Sequence, residues 1–143
     1  MMASSYLDTS FVLKFYLMEP ESAAAVEWLR MHAGSGCVSR LSDLEVITSL
    51  ERNPSSEEAR QNIAAYRQDM ADGIYRRLEI DAAVYTRAEE IAEGFARRYK
   101  LRSLDILHLA TALRHGIVSF GTYDKRLAAA AGAMGLEVFT AGS

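Results

Sequence analysis

The stretch LRSLDILHLATALRHGIVSFGTYD, residues 101–124, decides how this chain folds. Ser103 opens a helix that runs through Leu113 and closes at Gly116, the residue type best suited to the turn after a helix. Ile117, Val118, Ser119 and Phe120 then make the clearest strand in the sequence. Asp124 follows at the head of another helix, over 125–131, where a short acidic side chain suits capping. Helix, strand and helix in immediate succession point to a layered α/β chain.

The alternation extends in both directions from there. Asp81 caps a long helix over 82–99, and a strand over 77–80 precedes it. Ser55 or Ser56 caps a helix reaching about residue 72, and Ser55 with Glu58 fits a capping box. A helix over 41–52 ends at Asn53-Pro54, so the two form an antiparallel hairpin. A strand over 37–39 follows the turn Gly34-Ser35-Gly36. Before it lie a helix over 21–31, with Ala23, Val26, Trp28 and Leu29 available for burial, and one over 11–17 that stops ahead of Pro20. The first strand ends at Tyr6-Leu7-Asp8, and residues 136–139 finish the sheet. Strands separated by helices predict a parallel sheet, whose ligands gather beyond the carboxyl ends of the strands.

At 143 residues the chain is one domain, over 1–143. It is 50% hydrophobic and 24% charged, ordinary values for a globular protein. No apolar run approaches the roughly 20 residues of a membrane span. The segment from Met1 to Leu7 has neither a basic start nor a long apolar run, so no secretory signal is expected. One cysteine, Cys37, allows no internal disulfide, and a reducing cytoplasm is the simplest location. The net charge of −3 argues against general polyanion binding. A nuclease carries such a balance when its carboxylates cluster around metal and local basic residues guide the substrate. The densest basic run is Arg97-Arg98-Tyr99-Lys100-Leu101-Arg102.

Four acids stand at the junctions between these elements. Asp8 follows the first strand, with Ser10 beside it. Glu45 lies on the 41–52 helix. Asp105 is in the first turn of the Ser103 helix, and Asp124 comes after Phe120-Gly121-Thr122. Each has a plain structural reading. Asp8 and Asp124 suit helix caps, Glu45 completes a capping box with Ser42 unless Ser39 caps the helix instead, and Asp105 compensates a helix dipole. The functional reading places all four at one end of one sheet, where their mutual repulsion calls for a cation. Asp105 shares a face with Leu109 and Ala112 that should point inward. Oxygen donors select Mg²⁺ or Mn²⁺, and one Cys with three His cannot build a zinc site. His108 reads as a packed helix histidine before a general base. Lys14, Lys125 and Arg126 are candidate phosphate contacts.

The stretches YLDTSFVLK at 6–14, SRLSDLE at 39–45, LRSLDILHLATAL at 101–113 and FGTYDKRL at 120–127 resemble a PIN domain, and among PIN domains a VapC-type toxin of bacterial toxin–antitoxin pairs. The resemblance spans Tyr6 to Val138, with Ile106 where the family usually has alanine. It implies a three-layer α/β/α sandwich around a central, mainly parallel sheet of four to five strands. It implies Asp8, Glu45, Asp105 and Asp124 as the metal-binding catalytic set, with Ser10 and Thr122 in support and one or two ions. It further implies an endoribonuclease acting on RNA, a homodimer, and a cognate antitoxin. The alternative is a PIN-like module that binds RNA or protein without cleaving. No Gly-rich phosphate loop points to phosphotransfer.

Overall fold

The computed structural model describes residues 3–142. Met1 and Met2, part of the segment read for a secretory signal, and Ser143, the end of the 1–143 domain, lie outside the described residues. From the N-terminus, β1 (Ser5–Leu7) passes through Asp8 into α1 (Thr9–Leu13), and α2 (Ser22–Met31) returns the chain to β2 (Gly36–Ser39). The pair α3 (Arg40–Glu51) and α4 (Ser56–Ala71) precedes β3 (Tyr75–Leu78). Then come α5 (Ala82–Tyr99), α6 (Ser103–Arg114), β4 (Ser119–Gly121), α7 (Lys125–Ala133) and β5 (Glu137–Phe139).

The five strands form one sheet in the order β3-β2-β1-β4-β5, with every pairing parallel. Alternate residues of a strand face opposite layers. Tyr6, Cys37 and Phe120 therefore pack against α5, α6 and α7, in a core with Ile91, Leu109 and Leu127. Leu7, Val38 and Tyr75 pack on the other side, against Phe11, Val46, Leu50 and Tyr66. Tyr6 is fully buried, and its ring stacks on Phe120 at 5.5 Å. Burying each such side chain is worth roughly 1.5–3 kcal/mol.

Several boundaries differ from the sequence reading. Strand β3 starts two residues earlier than expected because Gly73, at φ +76°, ends α4 sharply and lets Tyr75 enter the sheet opposite Gly36. Strand β4 starts later. The Ile117 N–H bonds back to the Ala112 carbonyl across Gly116, so Ile117 closes the helix and Val118 lies exposed. Helix α1 begins at Thr9, capped by Asp8, and gives way to turns after Leu13. On α2 the buried residues are Ser22 and Ala25. Ala23 and Val26 face outward, one step round the helix from the core stripe, while Trp28 and Leu29 pack inward as expected.

Gly121 lies at the end of β4, between Leu7 of β1 and Phe139 of β5. A Cβ there would stand 2.7 Å from the Phe139 ring and 3.0 Å from Leu7 Cδ2. Its carbonyl accepts the Asp8 N–H at 3.1 Å. The missing side chain thus leaves room for the Phe139 and Leu7 side chains over this end of the sheet.

Candidate active site

Strand order reverses between β1 and β4, since β2 and β3 lie on one side and β5 on the other. Such a switch point leaves a crevice at the carboxyl ends of the strands. Asp8 and Thr122 are the first residues past those ends. Asp8 is 4% exposed. Its Oδ1 accepts from Ser10 Oγ at 2.6 Å and from the Phe11 N–H at 3.1 Å, and its Oδ2 accepts from Thr122 Oγ1 at 2.7 Å. Thr122 Oγ1 in turn accepts the Asp124 N–H at 3.0 Å, and Ser10 Oγ accepts the Tyr123 N–H at 2.9 Å. Burial pushes the Asp8 carboxyl above its ordinary pKa. The Ser10 hydroxyl, the positive charge of His108, the Thr122 hydroxyl and the Phe11 N–H pull it down without cancelling that push.

Glu45 is brought to the same edge by α3. Ser39 caps this helix through a reciprocal pair with Ser42, in which the Ser39 N–H bonds Ser42 Oγ at 3.0 Å. That leaves Glu45 free of the capping box. Its Oε1 accepts from Thr9 Oγ1 at 2.6 Å and from His108 Nε2 at 2.5 Å. Burial pushes the Glu45 carboxyl up, but the hydrogen bond and charge of His108, with Thr9, outweigh it and hold the pKa below the ordinary value.

His108 is 2% exposed. Its Nδ1 lies 2.7 Å from the Tyr6 hydroxyl, which donates to Ser39 Oγ at 3.0 Å. Nε2–H donates to the Glu45 carboxylate, and Nδ1 shares a hydrogen bond with the Tyr6 hydroxyl, so both ring nitrogens are engaged. The packed, hydrogen-bonded histidine expected from sequence is present. What sequence reasoning missed is that its partner is Glu45. The available signal was its place one helical turn after Asp105.

The other two acids act first as caps. Asp105 Oδ2 accepts the Arg102 N–H at 3.0 Å, so Arg102 precedes the helix and Ser103 opens it, as expected. Leu109 and Ala112 on its face are buried, while Asp105 stays partly exposed. Asp124 Oδ1 accepts the N–H groups of Arg126 at 2.9 Å and Leu127 at 3.2 Å. The fold thus joins Asp8, Ser10 and Thr122 directly, links Asp124 to them through its backbone, and joins Glu45 to Thr9 and His108. Among the described residues no three His, Cys, Asp or Glu side chains stand close enough to hold a metal ion as they are. The donors do fit a hard cation in kind: they are oxygens, and Asp8 is a desolvated carboxylate that a cation would relieve. Among the described residues, Glu45 Oε2, Asp105 Oδ1 and Asp124 Oδ2 accept no hydrogen bond, so each of these acids has one oxygen pinned and one open.

Residues 5–133 match the model of the PIN domain family. The chain belongs to the PIN domain family. This PIN domain is 35% identical over 141 residues to ribonuclease VapC46 of Mycobacterium tuberculosis, covering 96% of this chain and 97% of that protein. Its fold is similar to the crystal structure of VapC20 from the same species, a sarcin–ricin loop cleaving toxin, with a TM-score of 0.72 at 21% identity over 89% and 95% of the two chains. A toxin–antitoxin complex from Klebsiella pneumoniae aligns at a TM-score of 0.63 and 20% identity, over 85% and 87%.

The cations around the PIN domain's site differ in availability. Lys14, expected near phosphate, is held between Glu19 and Glu21 at 3.1 Å each, with its side chain 13% exposed. Arg97, Arg98, Lys100, Arg102, Lys125 and Arg126 are exposed. Arg126 reaches the Lys100 carbonyl at 3.3 Å, which ties the start of α7 to the basic run. Cys37 is a buried free thiol that packs in β2, His32 donates to the Trp28 carbonyl at the end of α2, and His115, just past α6, donates to the Glu79 carbonyl between β3 and α5. No helix is long and apolar enough to cross a membrane among the described residues.

Proposed function

We propose that this PIN domain is a Mg²⁺- or Mn²⁺-dependent endoribonuclease, the toxin of a toxin–antitoxin pair, with Asp8, Glu45, Asp105 and Asp124 as its catalytic and metal-binding acids. The observation that carries the reading is Asp8. It is a buried acid at the sheet's switch point, both of whose oxygens are bonded by Ser10, Thr122 and a backbone N–H that offset part of the desolvation. A fold rarely buries an ionisable carboxyl in such a place without a use for it. The 35% identity to a ribonuclease over nearly the whole chain supports the same assignment.

A bound divalent ion would lower the pKa of water and offset the charge developing on phosphate. The chain's own residues do the rest. Ser10 and Thr122 fix both oxygens of Asp8. Thr9 and His108 fix one oxygen of Glu45, and the caps on α6 and α7 fix one oxygen each of Asp105 and Asp124. Rotation of these carboxylates is therefore settled before substrate arrives, which is how preorganised sites avoid reorganisation during reaction. A concave surface of about 390 Å³ lined by Thr122, Asp124 and Lys125, with Lys14 and Glu21 on its wall, opens beside one of the four acids. Lys100, Arg102 and Arg126 stand next to Asp105 and Asp124 in sequence or contact, and draw the phosphate backbone toward the acids.

The toxin–antitoxin complex among the structural neighbours supports a cognate antitoxin as partner, and a cytoplasmic homodimer is the expected working form. The experiment is cleavage of RNA by the purified chain with Mg²⁺ or Mn²⁺, with chelator, and with Asp8→Asn. Cleavage that needs the metal and disappears in Asp8→Asn is expected. A second reading, a module that binds RNA or protein without cutting it, is favoured by the wide spacing of the acids. Tight RNA binding without cleavage in either metal would establish that reading instead.

A further inference from the structure

We propose that His108 is a positioning residue for Glu45: anchored by Tyr6 and Ser39, it pins one oxygen of the Glu45 carboxylate and leaves the other open to a divalent cation. The inference rests on the metal-dependent reading of the site and extends it to residues outside the acidic set.

The geometry forms a closed circuit. Ser39 caps α3, and Glu45 lies on the same helix about one and a half turns further on. Ser39 Oγ accepts from the Tyr6 hydroxyl of β1 at 3.0 Å, Tyr6 meets His108 of α6 at 2.7 Å, and His108 returns to Glu45 at 2.5 Å. Sheet, front helix and rear helix are thereby locked to one another at the carboxylate. The anchor is stiff. Tyr6 and Ser39 are fully buried, and the Tyr6 ring is stacked on Phe120 at an interplanar angle of 12°.

His108 is not placed as a metal ligand, because both ring nitrogens are engaged. Packing alone does not explain it either. A buried imidazole carries a desolvation cost that an apolar side chain of similar volume avoids, unless its hydrogen bonds serve a purpose. Thr9 and His108 both address Oε1, so two donors from different elements fix the plane of one carboxylate. Hydrogen bonds of this kind behind a ligating group typically govern metal affinity by about 10–100-fold.

The test is Mn²⁺ titration without RNA, followed by the electron paramagnetic resonance of free Mn²⁺, on the wild type, His108→Leu, His108→Gln and Tyr6→Phe, with thermal melts in parallel. His108→Leu should bind Mn²⁺ about 10–100-fold more weakly. His108→Gln, whose amide N–H replaces Nε2–H, should recover most of the affinity, which a purely structural role would not predict. Tyr6→Phe keeps the stacked ring and removes the anchor, so several-fold weaker binding is expected. It decides the matter if His108→Leu does not fold. A folded His108→Leu, or Tyr6→Phe in its place, that binds as tightly as the wild type or more tightly overturns the positioning role alone. A wild type that binds no Mn²⁺ overturns the metal-dependent reading and this proposal with it.

Discussion

Replacing Asp8 by Asn should stabilise the metal-free protein while abolishing its activity. Asn caps helices as well as Asp does, so the bond from the Phe11 N–H survives. Ser10 Oγ can still donate to Oδ1, and the new Nδ2 can donate to Thr122 Oγ1, reversing the present bond. What changes is charge. Three bonds to a carboxylate, at about 1.5–3 kcal/mol each, fall to about 0.5–1.5 kcal/mol each. Against that stands the removal of a buried ion, whose effective desolvation cost is several kcal/mol. The upward shift of the Asp8 pKa decides the balance, since it says that burial outweighs the bonds and the His108 charge together. A carboxyl with a raised folded pKa contributes stability that is fully present below its unfolded value and is lost as pH rises through the folded value. Ionising Asp8 in the folded state therefore weakens the fold. A gain of about 0.5–2 kcal/mol is expected for Asp8→Asn, raising Tm by about 2–8 °C in a domain of this size. The difference should shrink toward pH 4. Differential scanning calorimetry with chelator at pH 7.5 and pH 4 measures it, alongside RNA cleavage and the Mn²⁺-induced rise in Tm. A folded Asp8→Asn that melts below the wild type at pH 7.5, or that still cleaves RNA, would refute this account of Asp8.

Gly121→Ala should cost about 1–3 kcal/mol, because its Cβ meets Phe139 and Leu7 where three strands converge; urea denaturation measures this, and unchanged stability would show that the close approach is soft. Glu45 has a lowered folded pKa, so its stabilising contribution is present above the unfolded glutamate value of about 4.3 and is lost as pH falls through the folded value. Glu45→Gln should accordingly flatten the acid side of the stability–pH curve relative to the wild type, as read from melts between neutral pH and the acid transition. Asp124→Ala should lose the cap of α7 and about 0.5–2 kcal/mol, whereas Asp124→Asn should keep the stability and still lose RNA cleavage. Full activity in Asp124→Asn would reduce Asp124 to a cap.

Where local chemistry decides, the fold was legible. Asp81 capping α5 and the left-handed Lys100 closing it mark both ends of that helix, and its observed bounds are those expected. Strands β3 and β4 shifted because their limits are set by returns from the preceding helices through Gly73 and Gly116, and by which residues find a partner strand. The β1–Asp8–Ser10 unit and its partner Thr122 were legible for a similar reason: polar residues directly after apolar strands have few places to go. The circuit of Tyr6, His108, Glu45 and Ser39 was not. It joins residues up to 102 positions apart on two strands and two helices, and no local period records such a contact.

Cap and metal ligand stand as rival readings of each acid in the sequence. In the fold they are not rivals. A carboxylate has two oxygens, and at Asp105 and Asp124 the capping N–H groups bond only one of them, as Thr9 and His108 do at Glu45, which caps no helix. A helix N-terminus that binds one oxygen restricts the rotation of the other, at a place where the dipole already favours negative charge. On the proposed metal-dependent reading, the caps at Asp105 and Asp124 would aim the remaining oxygen of each toward a cation. The same logic separates Asp8 from the rest. Both of its oxygens are held, by a cap on one side and Thr122 on the other, and it is the most deeply buried of the four. A cation reaching it must share oxygens already bonded to hydroxyls, which can turn to accommodate it where backbone N–H groups cannot.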